Sequence, residues 1–145
     1  MTIRALDRMD RADWDRLWAG YQTFYAVQIP GDVSDTTFAR LLDPAEPMHA
    51  ALLLDEGRPV GLVHYIAHRS TWTIGDYVYL QDLFVEGERR GKGLGRRLIE
   101  HVYAQARAMG ASRVHWLTHE TNTDAMLLYD RIADRSGFVQ YRRVF

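Results

Sequence analysis

The stretch Tyr77-Val78-Tyr79-Leu80-Gln81-Asp82-Leu83-Phe84-Val85-Glu86-Gly87-Glu88-Arg89-Arg90-Gly91-Lys92-Gly93-Leu94-Gly95 decides how this chain reads. Tyr77 to Val85 is β-branched and aromatic, the composition of a strand. Beyond the glycines, Leu94, Leu98, Val102, Ala106 and Met109 form the apolar stripe of a helix, and Gly110 is its natural stop. A helix entered in this way starts with unpaired N–H groups and about half a positive charge at its N-terminus. Glycines let a ligand come close to that backbone, so the turn reads as a cradle for a phosphate or pyrophosphate. Arg90 and Lys92 add positive charge.

Two phosphate motifs are excluded by their own spacing. A dinucleotide fingerprint starting at Gly91 needs glycine at position 96, which is Arg96. A P-loop needs four residues between Gly87 and Gly91-Lys92, where there are three, and a hydroxyl where Gly93 stands. A nicotinamide enzyme and an NTPase are therefore disfavoured. A solvated turn and a nucleic-acid patch are the alternatives, but the patch has no interleaved aromatic residues for base stacking.

Working outward, Thr2 to Leu6 reads as a short strand. Trp14, Leu17, Trp18, Tyr21 and Phe24 mark one face of a helix starting near Asp10, broken by Pro30 and Gly31. Ser34 reads as the N-cap of a second helix carrying Phe38, Leu41 and Leu42. Met48 to Leu54 and Val60 to Ala67 read as a hairpin about Asp55-Glu56-Gly57-Arg58. After the central stretch come a strand over Arg113–Leu117, a helix carrying Ala125, Leu128, Tyr129 and Ile132, and a last strand over Phe138–Phe145. This order predicts an α/β fold of three layers, with helices on both faces of a mixed, mostly antiparallel sheet.

The chain's 145 residues fit one domain, read as residues 1–145, and its 47% apolar and 26% charged residues are ordinary globular values. The longest aliphatic run, Ala50 to Leu54, is far short of the ~20 residues that cross a bilayer. The N-terminus lacks a basic-then-apolar signal pattern, which predicts a soluble cytoplasmic protein. There is no cysteine, so thiolate metal sites and a cysteinyl acyl intermediate are excluded. The net charge is -1, and no global field draws in nucleic acid or an anionic membrane.

Tyr79-Leu80-Gln81-Asp82-Leu83-Phe84-Val85, the turn Arg90-x-x-Gly93-x-Gly95, and Asn122 with Tyr129 seven residues later together resemble the GNAT superfamily of acetyl-CoA-dependent N-acetyltransferases. Within it, the Leu-Gln-Asp-Leu-Phe-Val segment is similar to the polyamine, small-amine and histone branch. The resemblance implies a GNAT-like sheet of about six to seven strands. It implies that Arg90, Gly91, Lys92, Gly93, Leu94, Gly95 and Arg96 hold the CoA pyrophosphate. Leu83, Phe84 and Val85 would pair with pantetheine through their main chain, which requires the strands at Tyr77–Val85 and Arg113–Leu117 to splay apart. An N–H near Val85 would polarise the thioester carbonyl. Asn122 would bond near the pantetheine arm, or serve only as a helix cap. Tyr129 would sit by the CoA sulfur, or be a packed core tyrosine. Trp14, Trp18, Tyr21 and Phe24 read as helix core before acceptor pocket.

An amine attacks only when neutral, and at pH 7 a lysine-like amine is almost wholly protonated. The chemistry therefore needs a base, directly or through water. Polyamine acetyltransferases tend to have glutamate where this chain has Gln81, and an amide accepts no proton at neutral pH. Asp82, Glu120 and His119 are the alternatives. Strand alternation sends Asp82 to the face opposite Gln81 unless a bulge intervenes. Asp32, Asp35 and Glu120 would form a negative rim for a cationic acceptor. The expected activity is acetyl transfer from acetyl-CoA to a primary amine, read as that of a small molecule, by direct attack in a ternary complex. The alternatives are a non-catalytic CoA-binding sensor and a protein or peptide amine acetyltransferase. Many family members carry a further strand beyond the last one here, so the sheet is short or a neighbouring subunit completes it as a homodimer. No metal, membrane or nucleic-acid partner is expected.

Overall fold

The computed structural model describes residues 1–145. Strands β1 (Thr2–Ala5), β2 (Met48–Asp55), β3 (Arg58–His68), β4 (Tyr77–Val85) and β5 (Arg113–His115) form one sheet in sequence order. The first four are mutually antiparallel, and β5 joins β4 in parallel. A parallel pair needs a crossover, which helix α3 (Leu94–Ala108) supplies.

Helices α1 (Arg11–Phe24) and α2 (Gly31–Leu42) cover one face. Trp14, Leu17, Trp18, Phe38 and Leu41 pack there on Leu52, Leu62 and Phe84. On the other face, Leu94, Leu98, Ile99 and Val102 of α3 pack on Leu53, Val63, Val78 and Leu80. Helix α4 (Thr123–Ile132) leans on this second core through Leu128, Tyr129 and Ile132. Coverage on both faces explains why Ala50 to Leu54 reads as an unbroken apolar run and not an alternating one.

The β2–β3 hairpin closes with Asp55 opposite Arg58. Glu56 (φ 48°) and Gly57 (φ 81°) both take left-handed backbone, the pattern of a two-residue type I′ turn. At the other end of the sheet, the Asp10 carboxylate receives both Arg4 guanidinium nitrogens, at 2.7 and 2.8 Å, and the Asp7 N–H at 2.7 Å. These bonds, led by Arg4, hold Asp10 below the usual carboxylate range despite its burial. They tie β1 to the start of α1.

Three expectations are corrected. The sheet has five strands, not six to seven. Residues 138–145 form no strand: β5 is only three residues long, the chain after it leaves the sheet, and a lone extended segment has no ladder to join. Phe138, Tyr141 and Phe145 are left exposed. Ser34 is not a cap, because α2 starts at Gly31 behind Pro30; its Oγ instead accepts from the Trp18 indole at 3.2 Å.

Two irregularities shape the middle of the sheet. The first is a bulge in β4. His64 faces Asp82 and Tyr65 faces Leu80, so Gln81 is an extra residue without a partner on β3. The second is a splay, since β5 pairs only with Tyr77, Val78 and Tyr79. From Leu80 to Val85, β4 has no neighbour on that side.

Candidate active site

The splay opens a groove of about 740 Å³ between β4, the glycine turn, α3 and α4. Its floor is the free edge of β4. The Phe84 carbonyl is turned toward β3, 3.0 Å from where a side chain on Gly61 would begin. Main-chain direction alternates along a strand, so the polar groups of Leu83 and Val85 face the groove. The Val85 carbonyl demonstrates this by accepting from Arg90 Nε at 3.0 Å. The expectation for Leu83–Val85 is thereby narrowed: Leu83 and Val85 offer their backbone there, and Phe84 does not.

At one end of the groove, Gly91 (φ 76°) and Gly93 (φ 75°) turn the chain through left-handed backbone into α3. A side chain added at either would meet nothing within 4 Å, so the backbone is open to a ligand. Gly93 caps α3 with no side-chain hydrogen bond, and the first turn carries no acidic residue. The leading N–H groups and the positive end of the helix are therefore free for an anion. Arg90, Gly91, Gly93, Leu94, Gly95 and Arg96 line the groove; Lys92 does not. The neighbouring cations are engaged elsewhere, Arg89 with Asp55 and Arg97 with the Met1 carbonyl.

Asn122 and Tyr129 line the groove as well, Tyr129 on the side of Leu80 and Gln81. Asn122 occupies the N-cap position of α4, but its side chain makes no capping bond and reaches only toward Thr118 at 3.4 Å. The Tyr129 ring meets Trp116 edge-on at 5.3 Å. Burial, and then the neighbouring Tyr25, raise its pKa, so the phenol keeps its proton at neutral pH.

A second cavity, of about 380 Å³, lies on the α1–α2 side of β4. Trp18, Tyr21, Ile29, Leu41, Met48 and Ile66 give it apolar walls, and Gln81, Asp82 and His64 its polar end. The bulge is what places Gln81 and Asp82 together. In a regular strand the two side chains would point to opposite faces. Asp82 is 8% exposed, and its Oδ2 lies 3.0 Å from His64 Nδ1. Burial, and then interaction with the Asp82 carboxylate, raise the pKa of Tyr21. A small gap lined by Tyr25, Leu80, Gln81, Leu83, Trp116 and Tyr129 joins the two spaces. Gln81 borders both the gap and the second cavity.

A long groove with an anion cradle at one end and a phenol in its wall, opening through a gap onto an apolar cavity with one carboxylate, fits a nucleotide-bearing thioester and its acceptor. A model of the acetyltransferase (GNAT) family matches residues 13–133. The chain belongs to the GNAT acetyltransferase family. It is 38% identical to the D-amino-acid N-acetyltransferase HPA3 of Saccharomyces cerevisiae over 99% of this chain and 90% of that one. It is 33% identical to a thialysine N-epsilon-acetyltransferase of Sus scrofa over 63% of this chain and about half (49%) of that protein. Among solved structures, a probable acetyltransferase superposes with a TM-score of 0.87 at 21% identity, over 100% of this chain and 98% of that one. The acyl donor of this GNAT enzyme is acetyl-CoA, and its reaction is N-acetyl transfer.

The remaining candidates fall away from these spaces. Glu120 is exposed and lines none of the three. His119 is exposed and bonds locally to Thr121. None of the three carboxylates read as a rim lines the second cavity: Asp35 pairs with Arg11 at 2.5 Å, and the Asp32 side chain accepts from the Val33 N–H. The aromatic helix is also corrected. Trp14 is fully buried core, but Trp18 and Tyr21 line the second cavity, and Phe24 lines the groove. Sequence reasoning missed His64. Its signal was a lone histidine inside an apolar strand, and only the β3–β4 register reveals its partner.

Proposed function

We propose that the enzyme, acting as one domain over residues 1–145, acetylates the primary amine of a small molecule held in the Trp18–Tyr21–Asp82 cavity. The observation that carries this reading is the bulge, which puts Asp82 in an apolar cavity that meets the small gap beside Tyr129 at Gln81. His64 and Tyr21 give this buried carboxylate neutral partners only, and an incoming ammonium would supply the opposite charge. Asp82 takes one proton from that ammonium. The neutral amine then attacks the thioester carbonyl, the C–N bond forms and the C–S bond breaks. Tyr129 gives its proton to the departing sulfur and recovers one from water. The second amine proton and the one held by Asp82 both leave to water, so the products are the amide, free thiol and one net proton, with Asp82 and Tyr129 restored.

The donor's pyrophosphate would lie on the N–H groups of Gly91 to Arg96, with Arg90 and Arg96 beside it. Leu83 and Val85 would pair with pantetheine, Val85 N–H would polarise the thioester carbonyl, and Asn122 would bond near the pantetheine arm. Lys92 and Glu120, which line neither space, would act only from a distance. The cavity carries one carboxylate, and Gln81 is neutral, which suits an acceptor with a single charged nitrogen at the site. The D-amino-acid relative supports amino-acid amines as the first class to examine. The Gln81 amide could donate to an acceptor's carboxylate, where a glutamate would repel it. Acetyl-CoA is a cellular metabolite, which favours a cytoplasmic setting; no helix is long and apolar enough to cross a membrane.

The test is thiol release from acetyl-CoA, followed with a thiol-reactive dye across D- and L-amino acids, diamino acids, polyamines, aminoglycosides and a lysine peptide. The protein contributes no thiol of its own. Release with one small-amine class supports the reading. Turnover of the peptide alone would make this a protein acetyltransferase. Acetyl-CoA binding without turnover of any amine would make it a sensor.

The exposed arm over residues 138–145 supports a homodimer in which each arm pairs with a second copy. Sedimentation should give a dimer that a chain ending at Gly137 does not form. A monomer at all concentrations would refute this.

A further inference from the structure

The buried contacts behind Asp82 carry more than packing. His64 is 4% exposed, in the middle of β3, and both of its ring nitrogens are engaged. The Trp14 indole N–H points at Nε2 across 3.0 Å, and Nδ1 lies 3.0 Å from Asp82 Oδ2. An indole nitrogen only donates. Nε2 must therefore accept, which means it carries no proton. The ring's one proton is then on Nδ1, and it is donated to Asp82. Turning the ring over would put carbon where each nitrogen now stands and lose both bonds. Trp18, edge-on at 5.0 Å, and Trp14, at 5.9 Å, pack against the ring.

We propose that Trp14 and His64 are positioning residues for acetyl transfer: the Trp14 indole fixes His64 as the neutral Nδ1–H tautomer, and that N–H orients the Asp82 carboxylate toward the amine. This rests on the reading of Asp82 as the proton acceptor. His64 is not itself the base, because its bare nitrogen faces the indole and not the cavity. The arrangement addresses a specific difficulty of this site. Asp82 adjoins a bulge, where the ladder that would otherwise fix the strand is interrupted. A carboxylate that must meet a proton within hydrogen-bond reach cannot be left to rotate. The N–H of a packed ring on the adjacent strand holds Oδ2, and the substrate would meet the carboxylate on its cavity side, where the Tyr21 hydroxyl also interacts with it.

The test joins a spectroscopic and a kinetic readout. In nitrogen-15 histidine-labelled protein, long-range proton–nitrogen correlation should show His64 protonated at Nδ1 and bare at Nε2. Trp14→Phe should convert this to a mixture of tautomers. An Nε2–H form in the wild type would overturn the proposal. Kinetically, His64→Phe fills the space without a donor and should lower kcat about 30-fold, within the loss that ~1 Å of misplacement causes. Acetyl-CoA affinity and the amine KM should move little. His64→Asn places an amide N–H near the Nδ1 position and should recover most of that loss. Equal losses in His64→Phe and His64→Asn would make His64 packing only and sink the proposal. Asp82→Asn separates the two readings. If it is inactive while both His64 variants turn over like wild type, this inference fails and the base reading stands. If Asp82→Asn is fully active, the base reading fails, and this inference with it.

Discussion

Asp82→Asn should lower kcat/KM for the amine about 10³-fold, the middle of the range for a general base, while acetyl-CoA affinity stays unchanged. The substitution is close to isosteric. Its carbonyl oxygen can still accept the His64 N–H, so the buried contact at 3.0 Å and the packing around Trp14 and Trp18 persist. What the amide cannot do is take a proton at neutral pH. The loss should shrink as the assay pH rises toward the amine's own pKa, because the fraction of acceptor already neutral grows. That recovery separates a missing base from a damaged fold, which would not be repaired by alkali. Activity within tenfold of wild type at pH 7 would transfer proton removal to water reaching the cavity.

Tyr129→Phe should lower kcat about 100-fold and leave acetyl-CoA affinity nearly unchanged. The ring is the part that packs, against Trp116 and the α3 core, and phenylalanine keeps it. Tyr129 lines the groove, and burial keeps its hydroxyl proton in place at neutral pH. If Tyr129 is the acid, loss of the hydroxyl removes the proton for the departing sulfur and little else. The loss should be smaller with an acyl donor whose thiol is more acidic, since a better leaving group needs less protonation. Equal rates for the variant and the wild type would return Tyr129 to the core.

Most of the proposed donor site was legible along the chain. The glycines at 91, 93 and 95 announce an anion cradle because few other structures repay their flexibility. The strand before them and the helix after them follow from local composition. The acceptor side was much less so. Trp14, Trp18, Tyr21 and Phe24 share one helical face, and periodicity alone cannot say that Trp14 is sealed in core while Trp18 and Tyr21 border a cavity. The distinction depends on how α2 and the sheet meet α1. The partnership of His64 with Asp82 depends on a register across 18 residues, and the bulge on hydrogen bonds that leave no mark in composition. The final strand failed for a related reason. Phe138 to Phe145 has the residues of a strand, but a strand is defined by its neighbour, and within this chain that neighbour ends at His115.

The bulge at Gln81 also bears on how such an enzyme can change. Adjacent positions of an ordinary strand serve opposite faces, so retuning one side chain rarely leaves a neighbouring one in the same chamber. Here two consecutive positions share a chamber, one bearing a charge and one not. A single-codon change at position 81 could thus trade one clientele for another while position 82 carries on unaltered. With Asp82 as the base, one surplus residue in a strand would divide choice of guest from chemistry.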